Sequence, residues 1–376
     1  MSRIKPSSRS RFTGAALLLA LLIFLVPAVR DGDSRLYLLA VLIPCAMLLC
    51  STVIARIFSL DRFLLMLSLY LCMTGIAAQA LSDPESALLR ASFCGAGIIL
   101  LIIGAVWVRS LSGSILSALV SCFLGLLLLI SKMLSPSLDL PFAAPALAIL
   151  LIAFAALLSR EGPVSAAVLS VVVTALLLIR GEAVNAVLWG ITVLLLLFAA
   201  DGRLMVILPV LAALLLLYYG AFSLFVQDSF VRNAVKPDML ISAGAFGADT
   251  LPENASACTA CLFPLLAGHY GLVFAGLSVL LFLPFTLRGT AVAGCARTRF
   301  HAVLAMGISL MIALDTLSSL LSLFGLLPFA APGIPLLTSS MPSLGAHLFL
   351  IGILCGISGR NDADLAEDAH LAMLAK

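Results

Sequence analysis

Long apolar runs alternate with short polar segments along the whole chain. A helix needs about 20 mostly apolar residues to cross a bilayer, because its backbone groups must be bonded within the segment. The blocks of Leu, Ala and Val lack the residue-by-residue alternation of a membrane β-barrel. The pattern predicts an all-α, polytopic integral membrane bundle of about twelve transmembrane helices. The predicted spans are 13–29, 36–55, 63–81, 92–108, 112–131, 142–159, 163–179, 184–200, 203–226, 260–287, 301–325 and 343–358.

Composition excludes a soluble domain, since 10% of the residues are charged, against roughly 25% in soluble proteins. The first apolar run follows a basic segment, so a cleaved signal peptide is one interpretation. Pro27-Ala28-Val29 is a poor cleavage site and further spans follow at once. We therefore expect a retained first helix.

Basic residues predict the orientation, because short cytoplasmic loops carry the excess of Lys and Arg. With the N-terminus inside, the inner segments hold two thirds of the 21 Lys and Arg residues. An even number of spans then places both termini in the cytosol. The net charge of +3 is an orientation signal and gives no indication of nucleic-acid binding.

One long polar passage, Gln227–Gly271, lies between two membrane-length apolar runs and is the first candidate for a site. It contains Cys258 and Cys261, whose spacing is compatible with helix packing, a strained disulfide or a metal site. A metal or redox site needs a second ligand pair or a thioredoxin-like context, and the sequence offers neither. We predict no metal ligands here.

Several polar and glycine-containing motifs interrupt or end the apolar runs: Asp61-Arg62, Arg180-Gly181-Glu182-Ala183-Val184-Asn185-Ala186, Ser242-Ala243-Gly244-Ala245-Phe246-Gly247, Leu323-Phe324-Gly325-Leu326-Leu327-Pro328, Gly333-Ile334-Pro335-Leu336 and Gly356-Ile357-Ser358. Their order is similar to that of motifs in the SEDS family, which comprises the FtsW, RodA and SpoVE proteins. The chain resembles this family over residues 61–358. The resemblance implies a ten-helix core with an extracytoplasmic loop at 227–260. Outside this core, we expect a basic segment and two additional helices in residues 1–60, and an acidic cytosolic tail at 359–376.

The resemblance implies a function in bacterial peptidoglycan synthesis during division, elongation or sporulation. SEDS proteins polymerise lipid II, an undecaprenyl-linked substrate, at the outer face of the cytoplasmic membrane, together with a class B penicillin-binding protein. Such a reaction needs a carboxylate near the acceptor hydroxyl and positive charge near the leaving pyrophosphate. A divalent cation is a possible cofactor by the same resemblance. The residues implied in substrate binding are Glu182, Arg232, Lys236, Asp315 and Ser340.

The chain departs from the family at the essential loop acid, whose position is occupied by Ala260. A methyl group cannot act as a base. Asp249 and Glu253 remain in the loop and are candidate substitutes, the alternative being that both are solvated loop carboxylates. The sequence therefore leaves catalytic activity open.

Asp315 lies in the middle of a predicted span, where an ionised carboxylate is costly. It is either a polar contact facing a groove in the bundle, or a protonated or hydrogen-bonded acid helped by Thr316, Ser318 and Ser319. His269 and His347 are isolated in the sequence, and we expect structural roles for both.

Three functional hypotheses follow from the sequence. The first is a lipid II polymerase of the SEDS type with a substitute acid. The second is a catalytically silent relative that scaffolds or regulates a penicillin-binding protein. The third is a transporter or flippase for a lipid-linked substrate, although no matching pair of interrupted helices supports it.

Overall fold

The computed structural model describes residues 14, 17–25, 28–29, 32–80, 83–111, 113–134, 142–202, 204–229, 262–324, 326, 333–338 and 340–374. Within these ranges the regular secondary structure is helical, without strands. The helices are α1 (Ser34–Ile57), α2 (Arg62–Ala80), α3 (Pro84–Ser110), α4 (Ile115–Leu134), α5 (Ala143–Arg160), α6 (Pro163–Ile179), α7 (Ala183–Asp201), α8 (Leu204–Ser229), α9 (Leu262–Tyr270), α10 (Leu272–Leu280), α11 (Phe282–Gly294), α12 (Arg299–Leu323) and α13 (Met341–Leu374). Residues 17–25 are helical as well.

The predicted all-α, polytopic membrane bundle is confirmed. Among the described residues, eight helical segments are long and apolar enough to cross a membrane, and three shorter apolar helices accompany them. Together with residues 17–25, they place helical structure in each of the twelve predicted runs.

The bounds predicted for one span, 260–287, are wrong. Its start forms the separate helix α9, and the segment long enough to span the membrane is Leu272–Gly294. Gly271 divides the two with a φ of +88°, a left-handed conformation that side chains with a Cβ rarely adopt. α9 buries Leu262, Phe263 and Leu266 in the bundle. The last candidate span, Met341–Asn361, agrees with the predicted run 343–358, and its helix α13 continues beyond it to Leu374.

Small residues let α3 and α13 pack with their backbones in contact. A Cβ at Gly352 would collide with the carbonyl oxygen of Leu101, and one at Gly356 would collide with that of Ala105. Close backbone approach is the usual role of glycine between membrane helices. It fixes the position of α13, which carries several residues of the site described below.

Polar contacts join helices at the end of the bundle where α2 begins. Asp61 accepts hydrogen bonds from Arg288 Nε at 2.9 Å, Arg288 Nη2 at 2.7 Å and Ser358 Oγ at 3.0 Å. Nearby, Arg360 Nη1 donates to the carbonyl oxygen of Arg109 at 3.3 Å. These residues belong to the segments that the charge pattern assigns to one side of the membrane.

Candidate functional site

Three helices, α5, α7 and α13, begin around one pocket at the opposite end of the bundle. The cavity has a volume of about 240 Å³, below the roughly 300–1,000 Å³ of sites that enclose drug-sized ligands. It is therefore too small to enclose a ligand of that size. The lining residues are Ala143, Ala144, Leu147, Glu182, Asn185, Leu188, Trp189, Met311, Asp315, Gly333, Ser340, Ser343 and His347.

Glu182 lies at the start of α7, where the positive end of the helix dipole favours a carboxylate. Its Oε1 is 2.9 Å from Arg180 Nη2, and its Oε2 accepts a hydrogen bond from Asn185 Nδ2 at 3.0 Å. Arg180 also donates to the carbonyl oxygen of Leu129 on α4 at 3.0 Å. The carboxylate is thus held in one orientation in the pocket wall, with its charge balanced.

Asp315 on α12 contacts His347 on α13 inside the pocket. His347 Nε2 lies 3.3 Å from Asp315 Oδ2, and both residues are at least nine-tenths buried. His347 Nδ1 is 2.7 Å from the carbonyl oxygen of Ser343. The hydroxyl of Ser318 donates to the backbone oxygen of Asp315 at 3.0 Å and not to its carboxylate. Asp315 lines the cavity and is hydrogen-bonded to His347, so both sequence interpretations stay predictions.

The segment 333–338 leads into α13 and is held by a buried arginine. Arg90 of α3 is fully buried and donates from Nη1 to the carbonyl oxygen of Thr338 at 2.5 Å and from Nη2 to that of Leu336 at 2.8 Å. Leu336 has a φ of +64°, a conformation disfavoured for side chains with a Cβ. A Cβ at Gly75 would lie 2.7 Å from Arg90 Nη2, so glycine leaves room for the guanidinium.

Two donors in the pocket wall have no hydrogen-bond partner within the described part of the chain. They are the hydroxyl of Ser340 and the indole Nε1–H of Trp189, which is 2% exposed. The Trp189 ring packs edge-on against Phe154, with 6.3 Å between ring centroids. Buried donors in proteins are normally bonded. These two are therefore candidates to bind a polar ligand.

The structure brings together three of the residues predicted to bind substrate, namely Glu182, Asp315 and Ser340. Their role in binding remains a prediction. The other predicted site residues, and the loop residues considered with them, lie outside the described residues: Arg232, Lys236, Asp249, Glu253, Cys258, Ala260 and Cys261.

Sequence reasoning missed His347, which was expected to be an isolated structural histidine. The depth of each residue along its helix could have indicated that His347 lies near Asp315. Asp315 lies eight residues before the end of α12 at Leu323, and His347 six residues after the start of α13 at Met341. At 1.5 Å per residue these are about 12 Å and 9 Å below the same end of the bundle. Two ionisable residues at similar depth on neighbouring helices are candidates for a pair.

The described residues do not fit a resident metal ion. Among them, no group of three or more His, Cys, Asp or Glu side chains could hold one. The two carboxylates of the pocket are engaged by Arg180, Asn185 and His347.

The fold and the pocket define a class: a polytopic helical membrane protein with a polar, partly charged cavity at one end of its bundle. Residues 244–363 match the FtsW/RodA/SpoVE family of cell cycle proteins. That segment includes Asp315, Ser340 and His347. No curated protein sequence matches significantly.

Solved structures share the fold. The rod shape determining protein RodA of Thermus thermophilus is 17% identical to this chain and superposes with a TM-score of 0.56. The match covers 80% of this chain and 97% of RodA. A point mutant of RodA gives a TM-score of 0.57. A chain from a study of polymerization and crosslinking by a peptidoglycan synthase complex is 20% identical with a TM-score of 0.57, over 81% of this chain and 98% of that chain. The chain therefore has the RodA fold, and its segment 244–363 is similar to the FtsW/RodA/SpoVE family.

Proposed function

We propose that this protein binds a lipid II-type substrate in the pocket and extends glycan strands from it, as a peptidoglycan polymerase of the SEDS type. The match of residues 244–363 to the FtsW/RodA/SpoVE family supports the substrate class. The lipid tail would lie among the apolar helices, and the sugar and pyrophosphate groups would lie at the pocket end of the bundle. That end is the extracytoplasmic one in the orientation predicted from the charges.

One observation carries the proposal: Glu182, Asp315 and Ser340 come from distant parts of the sequence and line the same cavity. Buried carboxylates are costly in a membrane protein and usually mark a functional pathway or site. Here they adjoin the donors of Ser340 and Trp189, which have no hydrogen-bond partner among the residues that the structure describes. Acceptors and donors around a small cavity suit the hydroxyl and amide groups of a sugar.

The pocket also offers groups suited to the reaction. A carboxylate can take the proton of an acceptor hydroxyl, and a nearby cation can stabilise the charge on a departing pyrophosphate. Asp315 and Arg180 are the respective candidates, the second lying behind Glu182 at 2.9 Å. Asp249, Glu253, Arg232 and Lys236 remain proposed contributors from the loop.

Polymerisation of fluorescent lipid II by the purified protein in detergent or proteoliposomes tests the proposal. We expect glycan strands from the wild type and strongly reduced synthesis by Glu182→Gln. Asp201→Asn is a matched control, because that acid lies at the opposite end of α7, 4.0 Å from Arg299. Absence of product from folded wild-type protein that receives lipid II would contradict the proposal. Asp249→Ala combined with Glu253→Ala tests the loop acids separately.

A second candidate is a catalytically silent relative that binds the lipid-linked substrate and regulates a class B penicillin-binding protein. The presence of Ala260 in place of the family's loop acid favours it. Similarity to a chain from a study of a peptidoglycan synthase complex supports a partner of this kind. Co-purification with the penicillin-binding protein, together with lipid II binding and no strand synthesis, would select this function over the first.

A further inference from the structure

The contact between Asp315 and His347 contains at least one shared proton. A carbonyl oxygen can only accept a hydrogen bond, so His347 Nδ1, 2.7 Å from Ser343 O, carries a hydrogen. A neutral imidazole would then present a lone pair from Nε2 to Asp315 Oδ2 at 3.3 Å. Two facing lone pairs repel, and therefore either the acid or Nε2 is protonated.

Burial is costly for an unpartnered carboxyl group. The contact of His347 Nε2 with Asp315 Oδ2 at 3.3 Å gives this buried side chain a hydrogen-bond partner. The other charged side chain that lines the described pocket, Glu182, is balanced by Arg180. The contact uses Oδ2 of Asp315, so Oδ1 is the oxygen to be offered to a ligand.

The pair is rigidly supported on both sides. His347 is fixed through Ser343, one turn earlier on α13. α13 itself is locked against α3 by the close contacts of Gly352 and Gly356. On α12, a Cβ at Gly307 would lie 2.8 Å from Leu151 Cδ1, so the helix that carries Asp315 packs closely against α5.

We propose that Asp315 is the general base of this protein and that His347 is its positioning residue, so that the acid missing at position 260 is replaced from within the membrane bundle. This inference rests on the proposed polymerase function. Asp315 Oδ1 takes the proton of the acceptor sugar's hydroxyl. The hydroxyl oxygen bonds to the anomeric carbon of the donor sugar, the bond from that carbon to the pyrophosphate oxygen breaks, and the pyrophosphate leaves with the electron pair. The proton then passes from Asp315 to the departing pyrophosphate.

Kinetics of purified variants with fluorescent lipid II test the proposal. Asp315→Asn keeps the shape of the side chain and removes the base, so kcat is expected to fall by about 10²- to 10⁴-fold, with lipid II binding close to that of the wild type. Asp315→Glu is expected to restore part of the rate. Asp201→Asn, the same change at the other end of the bundle, is expected to keep the wild-type rate.

His347→Gln distinguishes positioning from a purely structural role. It is expected to lower kcat with KM unchanged, and the double variant with Asp315→Asn is expected to be no slower than Asp315→Asn alone, because His347 acts through Asp315. A further loss in the double variant would overturn the positioning role. Wild-type kcat in folded Asp315→Asn would overturn the base assignment.

Failure of this inference can be separated from failure of the proposed function. If the wild type polymerises lipid II and Asp315→Asn does so equally well, polymerase activity stands and the base lies elsewhere. If the wild type binds lipid II and makes no strands, both the polymerase proposal and the base assignment fall.

Discussion

The guanidinium of Arg90 donates a hydrogen bond of 2.8 Å to the carbonyl oxygen of Leu336, although 246 residues separate them in sequence. Arg90 is fully buried, and Leu336 is held in a left-handed conformation in the segment 333–338 that precedes α13. A charged side chain therefore fixes the segment that positions Ser340 in the pocket wall.

Replacement of Arg90 by Gln should destabilise this segment. Leaving buried carbonyl oxygens unpaired costs about 1–3 kcal/mol each, so thermal unfolding in detergent should shift to clearly lower temperature. Arg35→Gln is the control, because Arg35 pairs with Glu85 at 3.4 Å with both side chains about half exposed or more. An equal effect of the two substitutions would contradict the role given to Arg90.

Gly352→Ala should be destabilising by about 1–3 kcal/mol, the range for overpacking a well-packed core. The added methyl group would collide with the backbone of Leu101 and force α3 and α13 apart. Gly276→Ala is the matched control, since a Cβ at Gly276 would meet nothing within 4 Å. Similar unfolding temperatures for the two variants would argue against close packing of these helices.

Asp61→Asn should weaken the opposite end of the bundle. The carboxylate binds Arg288 and Ser358 and is itself largely buried, whereas Arg288 is partly exposed. Loss of a hydrogen-bonded charge of this kind costs about 1.5–3 kcal/mol. A double-mutant cycle with Arg288→Gln measures the coupling, and simple additivity would indicate that the pair contributes little.

Membrane orientation can be measured through thiols. Cys295 is exposed between α11 and α12, at the end predicted to be cytosolic. An impermeant maleimide should label it only after permeabilisation, and Cys295→Ser should remove that signal. Under reducing conditions, Cys258 and Cys261 in the predicted outer loop should react in intact cells. The reverse pattern would overturn the predicted orientation.

Much of the fold was predictable because a membrane span must form all its backbone hydrogen bonds within one run of apolar residues. Errors arose where local conformation decides the outcome, as at Gly271, whose positive φ divides one predicted span into two helices. Glu182 and Asp315 were identifiable as candidates from motif order and from the cost of a charge in a span. The sequence did not predict that Glu182 and Asp315 line the same pocket. Which helices face each other depends on packing such as that of Gly352 against Leu101. The depth of His347 along its helix makes it a candidate partner of Asp315, and the structure shows their contact at 3.3 Å.

The central claim is that the pocket holds the lipid-linked sugar. The most direct test is photocrosslinking with a lipid II analogue that carries a diazirine on its sugar. Mass spectrometry of the crosslinked wild type should locate adducts on the first turns of α5, α7 and α13, and Glu182→Gln should reduce them strongly. Crosslinks confined to other parts of the chain, with equal intensity in wild type and Glu182→Gln, would contradict the account.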